Sequence, residues 1–348
     1  MNEGMIKHKI GQMLMVGFPG KMLDADHPVA QAILRNQLGG VILFDYDFQT
    51  KTFHRNIESP EQLKLLTKQL KHYASNAMPL LIGVDYEGGK VNRLKEDKGF
   101  PKTFTAAEVG CFSQDKIKDV AETMAATLSA MGINLVFSPV VDVNLNPHNP
   151  VIGQLARSFS SEPMKVIQCA EIFSQMYHEQ GIISVLKHFP GHGSSMHDTH
   201  LGLTDVTGVW QEIELEPYRY LLPKLHHTSI VMTSHIVHKG LDSQGYPASL
   251  SHAMTQNLLR ETLQFGGVVV TDDMQMKAIT ARYDLPEAIS LAINAGADIV
   301  VFGNQLLTEQ IPTDLIEVIY SHLKNNKISL DRIEESYQRI VELKNLIY

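Results

Sequence analysis

The segment Ile182-Ile183-Ser184-Val185-Leu186-Lys187 is a nearly unbroken apolar run that ends on a positive charge. A strand with one wet face alternates polar and apolar residues. This one does not, so both of its faces are expected to be covered, as in a parallel sheet sheathed by helices. Outward from it, a helical stretch opens at Ser161-Glu162-Pro163 and stops at Gly181. Proline suits a first helical position and glycine a helix stop. The same pattern recurs along the chain. Further apolar runs lie at 13–18, 40–44, 80–85, 135–143, 230–235, 268–272 and 299–303, which with 182–187 makes eight. Ser59-Pro60-Glu61 opens a helix that keeps Leu63, Leu66, Leu70 and Tyr73 on one face. Another follows Asp284-Leu285-Pro286-Glu287 and stops at Gly296, and 330–346 reads as one more. Eight alternating units predict an α/β fold, a single (β/α)8 TIM-type barrel, with a doubly wound open sheet as the alternative. No composition break divides 1–348, which reads as one domain with insertions at 45–58 and 144–158.

The chain has 348 residues, 44% hydrophobic and 20% charged, a balance suited to a large water-facing fold. Its net charge of −8 gives no sign of nucleic-acid binding, which would want a basic patch. Cys111 and Cys169 both fall in helix-like segments without metal-type spacing, and are expected to be free, buried thiols in a reducing compartment. Lys7 and Lys9 precede only a short apolar run that ends at Pro19-Gly20, unlike a secretory leader. No run approaches the roughly 20 apolar residues of a membrane span. A cytoplasmic protein without membrane or nucleic-acid partners, monomeric or weakly dimeric, is the expectation.

In such a barrel chemistry gathers at the C-terminal ends of the strands. These ends are polar here: Asp85 and Glu87, Asp142 and Asn144, Lys187-His188, Ser234-His235, Thr271-Asp272-Asp273 and Asn304. One polar residue there is usually a cap; a whole rim of them points to a small-molecule site. The densest stretch is Lys187 to His200, KHFPGHGSSMHDTH. Pro190, Gly191 and Gly193 build a turn whose backbone could approach a ligand closely. His188 and His192 have the spacing of helical metal ligands, but Phe189-Pro190-Gly191 will not hold a helix, so no metal site is expected. Asp198 and His200 lie two residues apart, on one side of an extended chain. A carboxylate there raises the imidazole pKa and fixes its tautomer, which suits a general acid or base. At Asp272-Asp273 two adjacent carboxylates point different ways. One is expected to face a substrate and the other to bind backbone amides.

The segment Lys187 to His200 resembles the signature K-H-[FI]-P-G-[HL]-G-x4-D-[ST]-H of the bacterial β-N-acetylhexosaminidases of glycoside hydrolase family 3, the NagZ-like group, and matches every specified position. Further segments resemble that family in order: Gly83 to Arg93, Arg157-Ser158-Phe159, Met232 to Ile236, Pro247 to Ser251 and Val270 to Met274. Lys90 departs from a common arginine, keeping the charge but losing its planar fork. Tyr86 is also not the usual residue at its place. The resemblance implies a retaining enzyme acting on an oligosaccharide with terminal, non-reducing, β-linked N-acetylglucosamine, such as muropeptides in cell-wall recycling, and needing no cofactor. It implies Asp272 as nucleophile, His200 as acid/base paired with Asp198, and Asp85, Arg93, Arg157, Lys187 and His188 as sugar-holding residues. Rival readings are a β-N-acetylglucosaminide phosphorylase, another exo-β-glycosidase of the same family, a metal-dependent hydrolase, and a non-catalytic sugar-binding barrel.

Overall fold

The computed structural model describes residues 2–35, 38–74, 78–225, 228–305 and 310–347. Eight parallel strands form its centre: β1 (Leu14–Val16), β2 (Gly40–Leu43), β3 (Leu81–Val84), β4 (Leu135–Val136), β5 (Ile183–Phe189), β6 (Ser229–Thr233), β7 (Val269–Thr271) and β8 (Val300–Phe302). Each pairs with its neighbours in chain order, and β1 pairs back to β8 through Leu14 opposite Val300. The remaining seam is joined by a parallel bridge between Val270 and Ile299 and by the Asp298 amide donating to the Val269 carbonyl at 2.8 Å. The sheet thus curls into the barrel that the apolar runs predict. Every residue of β5 is buried, as its lack of alternation requires.

A helix follows each strand: Pro28–Leu34, Pro60–Tyr73, Gln114–Ala130, Pro163–Glu179, Glu216–Leu225, Ala253–Thr262, Leu285–Ala295 and Pro312–Lys324. Ala253–Thr262 is wound as a π-helix. Ser59 caps its helix by accepting the Gln62 amide at 3.2 Å, and Asp284 does the same for Glu287 at 2.8 Å. Leu63, Leu66 and Leu70 are buried against the sheet, with Tyr73 only partly covered. At 163–179 the cap is Glu162, which makes no side-chain bond, so Pro163 alone marks that start.

Two expectations need correcting. The run 135–143 makes only a two-residue strand, because Pro139 has no N–H for the ladder; the chain rejoins β5 where the Val141 amide donates to the Lys187 carbonyl at 2.8 Å. Cys169 is buried and free as expected, but Cys111 is exposed, just past the short helix Ala106–Gly110 rather than inside one. Among the described residues no helix is long and apolar enough to cross a membrane.

The end of the barrel away from the rim is tied by charge. Asp298 is 0% exposed and accepts from Arg260 at 2.7 Å, Arg332 at 2.8 Å, Arg339 at 3.2 Å, the Ser336 hydroxyl at 2.8 Å and the Val269 amide at 2.9 Å. Burial works to raise this carboxyl, but the three guanidinium groups outweigh it and hold the pKa below the usual range. One carboxylate therefore joins β7, β8 and the helix Leu330–Lys344. Asp298→Asn should lower the unfolding free energy by about 3–5 kcal/mol, because three buried guanidinium groups lose their counter-charge. Denaturant unfolding checks this; a loss under about 1 kcal/mol would show that the cluster ties nothing together.

Candidate active site

The C-terminal ends of the strands open into a cleft of about 440 Å³. All eight residues singled out from the sequence line it: Asp85, Arg93, Arg157, Lys187, His188, Asp198, His200 and Asp272. Its floor is a chain of alternating charges. The loop after β3 carries Asp85 and Glu87, and the end of β5 carries Lys187. The Lys187 ammonium lies 3.0 Å from Asp85 and 2.7 Å from Glu87. Arg157 forks onto Glu87 with two bonds of 2.7 Å. Arg93 reaches Asp85 at 3.2 Å, and Lys95 reaches the buried Asp45 at 2.7 Å. Burial works to raise the carboxyls of Asp85 and Glu87. Lys187 and then Arg93 outweigh it for Asp85, and Arg157 and Lys187 for Glu87, so both carboxyls are held below their ordinary range. Lys187 is raised in turn, burial being overcome by the same two acids. The floor is thus ionised, with every carboxylate paired to a cation and fixed donors and acceptors facing the cleft.

His188 is oriented from behind. Its Nδ1–H donates to Asp142 at 2.7 Å, and Arg157 donates to its Nε2 at 3.3 Å. That pairing assigns the tautomer. Asp142, wholly buried, also accepts the amides of His188 at 3.2 Å and His192 at 2.7 Å. The glycine turn after His188 approaches protein rather than ligand. A Cβ on Gly193 would sit 1.7 Å from the Val143 carbonyl oxygen, and Gly191, at φ +122°, presses on Glu214. Glu214 accepts the Gly193 amide at 2.8 Å and the Ser194 hydroxyl at 2.5 Å. Burial pushes its carboxyl up to about 7, although Ser194 opposes the shift. The base of the histidine loop is therefore clamped, while the loop beyond it rises to the surface, where His200 is 54% exposed.

Asp198 and His200 meet, but in a turn rather than the expected extended segment: the Asp198 carbonyl accepts the Leu201 amide at 3.0 Å. His200 Nδ1 lies 2.8 Å from Asp198 Oδ1, which also accepts the His200 amide at 2.8 Å. The Asp198 hydrogen bond raises the imidazole pKa above its usual value; burial opposes, and the Asp272 charge adds to the rise. Asp272 itself is held low: burial would raise it, but His235, His188 and His200 and the Asp273 amide outweigh that. The neighbouring acid takes the other role. Asp273 accepts the amides of Gln275 at 3.0 Å and Gly303 at 3.1 Å, and burial pushes its carboxyl up to about 6. The arrangement presents an ionised carboxylate and a proton-bearing imidazole to one cavity, which is what a two-step displacement at carbon with proton transfer requires.

Other rim residues serve the scaffold. Ser234 donates to the Phe189 carbonyl at 2.9 Å; His235 accepts from Ser249 at 2.7 Å and donates to the Asp273 carbonyl at 2.9 Å. Asn304 donates to the Gly17 carbonyl at 2.9 Å. Asp45 and Glu214 were missed by sequence reasoning. Asp45 begins a polar, turn-rich stretch, and Glu214 sits in Glu212-Ile213-Glu214, which reads as a solvated face. Among the described residues no group of three or more His, Cys, Asp or Glu side chains is placed to hold a metal ion.

Residues 5–343 match the family model of the glycosyl hydrolase family 3 N-terminal domain. The beta-hexosaminidase of Tolumonas auensis is 36% identical over 298 residues, covering 84% of this chain and 82% of that protein. A family 3 beta-N-acetylglucosaminidase from Paenibacillus superposes with a TM-score of 0.86 at 30% identity, over 98% of this chain; this chain spans 62% of that one. The beta-N-acetylhexosaminidase of Beutenbergia cavernae gives 0.85 at 27% identity, with 98% of each chain covered.

The buried His192 provides a pH test of the site's packing. Burial pushes it down to about 4 from an ordinary 6.5. The unfolded chain therefore binds this proton first as pH falls, and stability is lost between pH 6.5 and 4. The expected loss attributable to this group is roughly 3 kcal/mol. His192→Asn should flatten that part of the stability–pH curve relative to the parent; parallel curves would show that His192 does not titrate on unfolding.

Proposed function

The chain belongs to glycosyl hydrolase family 3, and on that premise we propose that it is a retaining β-N-acetylglucosaminidase that releases terminal, non-reducing, β-linked N-acetylglucosamine. The observation that carries this reading is the pairing, across one cleft, of the lowered Asp272 carboxyl with the raised His200 imidazole. The sugar specificity is drawn from relatives named beta-hexosaminidase, beta-N-acetylglucosaminidase and beta-N-acetylhexosaminidase.

Asp272 attacks the anomeric carbon as the bond to the leaving oxygen breaks, and His200 gives its proton to that oxygen. A glycosyl ester on Asp272 results. Water then attacks the same carbon and passes its proton to His200, and the ester bond returns its electrons to Asp272. Two inversions leave the configuration retained. The usual second carboxylate of such enzymes is replaced here by the His200–Asp198 pair. Asp85, Arg93, Arg157, Lys187 and His188 hold the ring hydroxyls through the paired floor, which needs no rearrangement when sugar replaces water. The natural substrate class is muropeptide from cell-wall recycling, met in the cytoplasm by a monomer or weak homodimer.

Asp272→Ala should reduce turnover of an aryl N-acetyl-β-glucosaminide by on the order of 10³-fold or more; residual activity within tenfold of the parent would remove Asp272 from the nucleophile's role. The upper limb of the kcat/KM profile reports loss of the His200 proton. Because the Asp198 hydrogen bond is the main cause of the raised imidazole pKa, Asp198→Asn should move that limb to lower pH. A limb that stays in place assigns it to another group.

A further inference from the structure

The segment 45–58 is held far more firmly than a surface insertion requires. Tyr46–Asp47 pairs antiparallel with Thr52–Phe53. Asp47 accepts the amides of Gln49 and Thr50 at 2.9 Å each and pairs closely with the buried Arg55. Arg55 in turn donates to the Asn304 carbonyl at 2.6 Å, and Gln305 donates to the Tyr46 carbonyl at 3.1 Å. These bonds fix the hairpin to the end of β8 and so to the rim of the cleft. It presents three aromatic rings. Phe53, 52% exposed, is explained by Lys95 and Lys98, whose ammonium groups lie 5.0 and 5.3 Å from its ring centroid. Phe48 is equally exposed, packs nearly perpendicular to Tyr46 at 5.0 Å, and lines the cleft.

Burial orders the cleft by depth. Lys187 and His188 are buried at its floor, whereas Phe48 and His200 stand half out of it. The proton donor acts on the oxygen between the released sugar and its leaving group, so the level of His200 is the level of that oxygen. Phe48 lines the same cleft and is likewise half exposed, so it belongs with His200 to the outer part of the cleft. We propose that Phe48 is the platform of a leaving-group subsite, taking a ring with an apolar face: a second pyranose or an aryl group. The proposal rests on the exo-glycosidase reading given above. A rigid aromatic held in place in advance gives contact area at little entropic cost, which explains why a surface hairpin is bolted down by a buried ion pair.

The test compares leaving groups that do and do not reach the platform. In Phe48→Ala the ratio of kcat/KM for N,N′-diacetylchitobiose to kcat/KM for N-acetyl-β-glucosaminyl fluoride should fall about tenfold, and Phe48→Trp should restore it. The fluoride has a single-atom leaving group and nothing to stack. A ratio within twofold of the parent, or one that Phe48→Trp leaves as low as alanine does, would overturn the platform. Should the parent hydrolyse glucosides and not N-acetylglucosaminides, the reading of the sugar fails instead. The same ratio, measured with cellobiose and β-glucosyl fluoride, then decides the platform by the same criterion. Phe48 is half in water, so thermal midpoints of the variants should match the parent and keep folding out of the comparison.

Discussion

Glu87 sits between Lys187 and Arg157, out of contact with bulk water, and each of the three charges is tolerable there only because of the other two. An isolated buried ion costs several kcal/mol, and removing one partner strands the rest. The constraint reaches well beyond the trio. Lys187 must also satisfy Asp85, which engages Arg93, and Arg157 also supports His188, which leans on Asp142. These residues come from the ends of β3, β4 and β5 and from the loop before Pro163–Glu179. The barrel must therefore close in correct register before the charges pair, and the paired charges then hold the rim in that register.

Much of this was legible in the sequence, for a physical reason. Strands covered on both faces carry no alternation, so β5 announces its parallel environment without help from its neighbours. Ser59 and Asp284 mark helix starts because their side chains have the geometry to replace a missing backbone acceptor. The closeness of Asp198 and His200 could be read from their spacing, but not its cause: an aspartate that accepts the amide two residues on folds the chain into a turn there, where an extended segment was expected. What stayed hidden depends on partners distant in the chain. Glu214 reads as a solvated acid until Gly193 and Ser194 are folded against it. Asp45 looks like a loop former until Lys95 arrives. The two glycines of the histidine turn could be recognised as sites of close approach, but their partners turned out to be Val143 and Glu214 rather than ligand.

The two ends of the barrel divide their tasks. At one end Asp298 collects three arginines and ties strand to helix, and at the same end Lys344 donates to Gln12 at 2.7 Å and the Gly39 carbonyl at 2.8 Å, with burial pushing its amine down to about 7. At the other end the carboxylates and imidazoles face an open cleft. The charges that tie strand to helix are shut away from the cleft and those of the rim are not. Changes at the rim therefore need not unfold the chain, provided the Glu87 trio is kept.

The Asp198–His200 bond has a consequence of its own. Its two partners belong to one three-residue stretch, so the imidazole carries its own counter-ion. If the tip of that loop swings, the imidazole and its carboxylate travel as a unit, and the proton is kept as ready in transit as on arrival. Asp272 has no such portability. Its acidity is lent by His235, His188 and His200, which come from separate parts of the rim. The imidazole is a self-contained tool on a tether, and the carboxylate is a fixture of the building.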